Sequence, residues 1–211
     1  PILFPICGGL PGKYKLNQHG FARDSDWQID FINDQECLLL TLIDNQSTRA
    51  LYPYSFRIDI KVKLKANTLA FEIAINNFSQ EKMPCSFGLH PYFNVMDLSK
   101  TRIEGLTPSC VNHVNMMKAK TKNQLESIPN GVDFICGPSE LVTLLDLSKG
   151  RRIHLQQEEP MDLTVVWTDP PRKMVCLEPW TSPRESLLSG ERRLSLEPGE
   201  RQILNCRFVI E

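Results

Sequence analysis

The chain carries no surplus of positive charge: 24 lysines and arginines face 25 aspartates and glutamates, for a formal net charge of −1 and a pI near 6.5. Nucleic-acid binding draws on clustered basic residues that neutralise phosphates, so nucleic acid is excluded as the main partner. No apolar run approaches the roughly 20 residues a membrane-spanning helix requires, and no signal-peptide pattern is visible. A membrane is therefore not expected as a partner. An initiating methionine is also missing, since the chain opens at Pro1, as expected of a piece of a longer gene product. No internal repeat, low-complexity tract or linker divides the 211 residues, a length suited to one domain with a substantial core. An apolar fraction of 41% against 23% charged is that of a globular rather than a disordered chain.

Cysteine is present but unpatterned. Cys7, Cys37, Cys85, Cys110, Cys136, Cys176 and Cys206 are odd in number, contain no CxxC pair and, with the histidines, show no metal-ligand spacing. That argues against a disulfide framework and against a metal site. Most lie in apolar stretches such as 174–177, where a thiol serves as a small core residue. The expectation is reduced, buried thiols in a cytoplasmic protein that uses neither metal nor cofactor.

Helical periodicity is scarce, and two-residue alternation dominates. Phe56, Ile58, Ile60, Val62 and Leu64 alternate with Arg57, Asp59, Lys61 and Lys63, the pattern of a half-buried strand. After Ala66-Asn67-Thr68, Leu69, Phe71, Ile73 and Ile75 repeat it, so the two runs predict an antiparallel hairpin with one wet face. Leu204, Cys206, Phe208 and Ile210 predict a C-terminal strand. Shorter strands are expected at 27–31, 37–43, 85–89, 142–147, 151–156, 163–167 and 173–178. One short helix is expected from Ser182-Pro183-Arg184-Glu185, with a capping serine and proline at the first position, stopped after about two turns by Gly190. Short strands and 15 prolines favour an all-β antiparallel sandwich over βαβ units.

Four histidines differ in setting. His154, between Ile153 and Leu155, faces away from their apolar side, and His113 lies in a polar stretch with no evident partner; both read as solvated. His19 opens His19-Gly20-Phe21-Ala22-Arg23-Asp24, and His90 closes a small apolar strand before Pro91-Tyr92-Phe93. Proline biases the residue before it away from helical geometry, so His90 can project from a strand end into a cleft, although a structural histidine fits either position as well. Glu178 follows the buried-looking Lys173–Leu177 and precedes Pro179-Trp180. It is either a carboxylate whose pKa an apolar setting raises or one that emerges into water at a strand end.

Taken together, the segments 1–11 (PILFPICGGLP), 18–27 (QHGFARDSDW), 83–95 (MPCSFGLHPYFNV), 131–134 (GVDF), 176–187 (CLEPWTSPRESL) and 196–200 (LEPGE) resemble the aldose 1-epimerase, or galactose mutarotase-like, family. The bacterial branch with LacX-like proteins and hexose-6-phosphate epimerases is the nearest match. The motifs keep the family's order from end to end, and HGFAR, GLHPYF and EPW are specific in combination. The resemblance implies a large β-sandwich with a cleft across one sheet, acting as a monomer or homodimer on a sugar. It implies that His90 is the general acid at the ring oxygen and Glu178 the general base at the C1 hydroxyl. By the same resemblance His19 holds the sugar near the ring oxygen, and Arg23 and Asp133 contact its hydroxyls. Two departures stand out: the family's strands before the 1–11 segment are absent, and the link from Leu10-Pro11 to Tyr14 is shortened.

The chemistry agrees. Anomer exchange needs a proton removed from the anomeric hydroxyl and one delivered to the ring oxygen, which an acid and a base on opposite sides of the bond supply without a cofactor. Trp180, beside Glu178, is expected to stack on the sugar, with Tyr92 and Phe93 as further aromatics; Trp167 reads as a core residue. A non-catalytic carbohydrate-binding module is the alternative, since fold does not fix function. A glycoside hydrolase is disfavoured because hydrolysis usually wants two carboxylates, and Asp133 is a weak second. A sugar phosphate would call on Arg23, Arg151, Arg152, Arg172 or Arg184, each of which except Arg23 otherwise reads as a surface charge.

Overall fold

Where apolar residues alternate, the chain forms strands whose apolar faces meet. The computed structural model describes residues 1–12, 15–32 and 37–211; the shortened link before Tyr14 therefore falls partly outside the described residues. Among the described residues the strands build two eight-stranded sheets and one two-stranded pair, Met83–Cys85 with Leu194–Leu196. Every ladder among the described residues is antiparallel; the one parallel contact is an isolated bridge, Phe4 to Gly20.

The first sheet, here the cleft sheet, runs in the order Ile2–Leu3, Gly88–Leu89, Met174–Trp180, Leu163–Thr168, Val132–Cys136, Ser109–Asn112 and Met117–Lys120, with Tyr92–Asn94 also pairing to Met174–Trp180. The second runs Gln28–Phe31, Cys37–Ile43, Phe56–Lys65, Thr68–Asn77, Arg201–Ile210, Arg151–Gln157, Leu141–Asp146 and Thr101–Glu104. Phe56, Ile58, Ile73 and Phe208 of the second sheet share one buried cluster with Phe134, Val166 and Leu177 of the cleft sheet. Full burial of each such side chain is worth about 1.5–3 kcal/mol. Because side chains alternate along a strand, Ile135, Val165 and Trp180 point to the other face of the cleft sheet, where they form a smaller cluster with Leu3, Cys7 and Leu163. The site lies on that face.

The expected hairpin forms, in the register Ile60 opposite Ile73, and it turns at Ala66, whose φ is +51°. Its buried stripe runs out before the tip: Leu64 is 58% exposed, and at the C-terminal strand's end Ile210 is 46% exposed. All seven cysteines are free, six buried and Cys37 half-buried. The helix expected from Pro183 is shorter than read, covering only Ser186–Ser189, because Glu185 takes a left-handed φ of +62°; Gly190, at φ +79°, ends it. The expected strand at 85–89 is two strands, Met83–Cys85 and Gly88–Leu89, in different sheets. A capped helix at Gln46–Leu51 was not legible as apolar periodicity; Asn45 and Thr48 exchange side-chain and backbone bonds at its start. No helix among the described residues is long and apolar enough to cross a membrane.

Candidate active site

The strand Met174–Trp180 is buried along its whole length. Val175 and Leu177 point into the core, so alternation turns Cys176, Glu178 and Trp180 to the cleft side. Glu178 is thus an interior strand residue in an apolar setting, the first of the two readings the sequence left open, and not a carboxylate emerging into water. On one side this strand pairs to Gly88 at Trp180 and to Tyr92 at Cys176. Between those contacts His90-Pro91 interrupts the ladder, and there His90 Nδ1 comes 3.3 Å from Glu178 Oε1. The two are close but not aligned for a hydrogen bond, and His90 Nδ1 has no hydrogen-bond partner among the described residues.

His19 enters from a loop. Its φ is +69°, uncommon for a residue with a side chain, and its peptide N–H donates to Gly8 O at 2.6 Å. Backbone held in a sparsely populated region is frequent at functional sites. Gly20 follows because a Cβ there would lie 2.1 Å from Phe4 O. His19 Nδ1 accepts from the Gly8 N–H at 3.1 Å, so the neutral ring carries its proton on Nε2, beside Gln18. The His19 and His90 rings meet edge-on, 5.6 Å between centroids.

Asp133, on Val132–Cys136, accepts from the Arg184 Nη2 at 2.7 Å and lies 2.7 Å from His113 Nδ1. Gln18, His19, Arg23, His90, Asp133, Val165, Trp167, Glu178, Trp180 and Arg184 together line a pocket of about 220 Å³. A larger open groove of about 1150 Å³ crosses the second sheet among Lys61, Glu72, Glu140 and Arg207. No histidine lines it, and Lys61 and Glu72 pair with each other there, so the smaller pocket is where acid–base chemistry is possible.

Burial dominates the electrostatics. It raises the Glu178 carboxyl well above 4.5, against the Trp180 hydrogen bond that lowers it. It lowers His90 to about 4, and it lowers His19 to about 3 with help from neighbouring His90, Arg23 and Arg184. Burial also opposes charge on Asp133, but its contacts with His113 and Arg184 outweigh that and hold its carboxyl below the usual value. His113 is itself lowered by burial. We therefore read its contact to Asp133 as a neutral N–H donating to a carboxylate, with Arg184 as the compensating cation.

The structure brings all six sequence-nominated residues, His19, Arg23, His90, Asp133, Glu178 and Trp180, to this pocket. Trp180 is 1% exposed, with His113 stacked 5.9 Å away and His19 edge-on at 5.8 Å. It also donates its indole N–H to Glu178 Oε2 at 3.0 Å. Three residues were misread from sequence. His113, expected to be solvated and unpartnered, is buried against Asp133 and Trp180. Arg184, expected at the surface, is in the pocket. Trp167, expected in the core, lies edge-on to His90 and Tyr92. His113 N donates to Asp133 O at 2.8 Å, a cross-strand neighbourhood for which the sequence offers no signal. Of the other arginines, Arg172 lies beside the pocket, its guanidinium 5.1 Å from the ring centroid of the lining Trp167, whereas Arg151 and Arg152 sit on the second sheet. His154 points outward as expected, half-buried, with its Nδ1 2.9 Å from Thr143 Oγ1.

Known proteins share this arrangement of sheets and sequence. The chain is 29% identical to a Cenchrus ciliaris protein with the provisional name glucose-6-phosphate 1-epimerase, over 93% of this chain and 66% of that one. It is 22% identical to chromosomal protein LacX of Lactococcus lactis, over 90% of this chain and 76% of that protein. It superposes in full on 77% of the Slr1438 protein of Synechocystis sp. PCC 6803, with a TM-score of 0.94 and 29% identity. A galactose mutarotase related enzyme from Lactobacillus acidophilus shares the fold over 82% of its length, at a TM-score of 0.79 and 22% identity. The chain thus spans about two thirds to four fifths of these proteins. With residues 1–208 matched by the aldose 1-epimerase family profile, the chain belongs to the aldose 1-epimerase family.

Proposed function

We propose that this protein is an aldose 1-epimerase that interconverts the α and β anomers of a hexose or hexose phosphate. The observation that carries the proposal is the pair of half-buried His90 and buried Glu178, 3.3 Å apart, whose proton affinities burial moves in opposite directions. Both shifts disfavour charge, so at rest they favour the proton on Glu178; perturbed affinities of this kind concentrate at functional sites.

In this reading the pair shares one proton. With the proton on His90, Glu178 is a carboxylate that removes the C1 hydroxyl proton while the imidazolium protonates the ring oxygen. The C1–O5 bond breaks and C1 becomes an aldehyde, leaving Glu178 protonated and His90 neutral, the form burial favours. Rotation about C1–C2 and the reverse transfers reclose the ring as the other anomer. Trp180 holds Glu178 Oε2, so Oε1 takes the proton. His19, its proton on Nε2, holds the sugar near the ring oxygen. Asp133 and Arg23 bind hydroxyls, and Arg184 and His113 hold Asp133 in place. Acid and base each contribute about 10²–10⁴-fold.

A pure carbohydrate-binding module has no need of a desolvated acid–base pair, which is why catalysis is preferred. The test is polarimetry on freshly dissolved α-glucose and α-galactose, with exchange NMR on glucose 6-phosphate in parallel. Faster equilibration of at least one sugar is expected and would identify its class. Binding without acceleration of any of them would favour the binding module.

A further inference from the structure

We infer that His90 and Glu178 of the same pocket form, with Cys176 beside them, a latent binding site for a zinc-like divalent cation, and that occupancy switches the acid–base pair off. The inference rests on the proposed function only for its inhibitory consequence. The donor atoms of these three residues lie within 4.8 Å of one another, and they supply nitrogen, sulfur and oxygen, the mixed set that suits zinc and its soft neighbours. Sequence spacing conceals the group, because His90 comes from the interrupted ladder, far from the strand that carries the other two.

Each donor has capacity to spare. His90 Nδ1 is buried without a hydrogen-bond partner among the described residues. Glu178 commits Oε2 to the Trp180 N–H and leaves Oε1 beside His90. That indole bond is the kind of outer contact that orients a ligating carboxylate. The Cys176 thiol is buried, and its hydrogen-bonding contact is a weak one, to Met174 Sδ at 3.9 Å. A metal displaces the thiol proton, so its burial is no bar to ligation. Small side-chain shifts would bring three donors spread over 4.8 Å to bond lengths of about 2.0 Å for N or O and 2.3 Å for S. The fourth position would face the pocket, open to water or a sugar hydroxyl. A cation there takes the lone pairs of Glu178 and His90 Nδ1, so neither can accept a proton from the other or from the sugar.

The test adds Co²⁺ or Zn²⁺ alone to the reduced, metal-free full chain. Co²⁺ should give intense visible bands of tetrahedral cobalt and a thiolate-to-cobalt band in the near ultraviolet at one equivalent. Cys176→Ser should lose the near-ultraviolet band and weaken binding by about 100-fold or more, since even outer-contact losses cost 10–100-fold; Cys37→Ser should keep both. Should Cys176→Ser fold poorly, X-ray absorption at the zinc edge of the wild type decides: one sulfur near 2.3 Å with nitrogen or oxygen near 2.0 Å is expected, and a shell without sulfur overturns the site. No binding, or a band that survives in Cys176→Ser, also overturns it. Where anomer exchange is measurable, one equivalent of zinc should abolish it and a chelator restore it; undiminished exchange with zinc bound overturns the switch. A protein that binds cobalt through Cys176 but exchanges no anomers upholds the site while rejecting the proposed function.

Discussion

Glu178 and His90 concentrate the unusual physical chemistry of this molecule. Folding places a carboxyl whose pKa lies well above 4.5 next to an imidazole lowered to about 4. Each shift is a stability statement. The unfolded carboxyl ionises above 4.5 and the folded one only well above that, so its contribution is intact below 4.5 and is lost as pH rises through the folded value. Glu178→Gln removes this proton linkage. Its melting temperature relative to wild type should therefore climb as pH is raised from 5 to 9, by about 2–4 °C for each kcal/mol recovered in a domain of this size. Differential scanning fluorimetry across that range checks it, and a gap that stays constant would mean that Glu178 is an ordinary carboxylate. Activity should follow the shared proton. The singly protonated pair takes up its second proton only near pH 4, so the acid limb of kcat/KM should fall there; a limb near 6.5 would show an unshifted histidine.

The elements that position these groups were unequally legible. Alternation in 56–64, 69–75 and 204–210 exposes the second sheet in the sequence, because one wet face and one dry face leave a period of two. The strand Val132–Cys136, which carries Asp133, was missed: burial on both faces (Phe134 one way, Ile135 the other) erases the alternation. The Asp133–His113–Arg184 network was invisible for a related reason, since it depends on which strands pair. Arg184→Gln should leave Asp133 short of a charged donor and raise KM by about 10–100-fold, the worth of one hydrogen bond to a charged group, with kcat changed far less. A fall in kcat alone would place Arg184 elsewhere in the mechanism. The His19 loop depends on Gly20, whose φ is +73° and whose missing Cβ would sit 2.1 Å from Phe4 O. Gly20→Ala should lower stability by at least about 1–2 kcal/mol from the left-handed backbone alone, read as a loss of several degrees in melting temperature and weaker sugar binding. Unchanged stability would show that the loop relaxes freely.

The two sheets share one core, and the cleft sheet turns its other face to the pocket, so the same strand residues decide stability and chemistry in alternation. That is why specific short motifs gave away the site's members while the partners bridging them did not: GLHPYF and EPW mark where the ladder breaks and where the base stands, but Trp180's N–H, Trp167's edge and His113's ring acquire their roles only when strands pair. The central claim is that the His90–Glu178 pair opens and recloses a sugar ring. It is tested most directly by measuring anomer exchange of one responsive hexose by magnetisation-transfer NMR, with wild type and Glu178→Gln at equal saturation. The account predicts catalysed exchange in the wild type and a loss of at least about 100-fold in the variant with sugar affinity retained. Equal exchange in both proteins would contradict it.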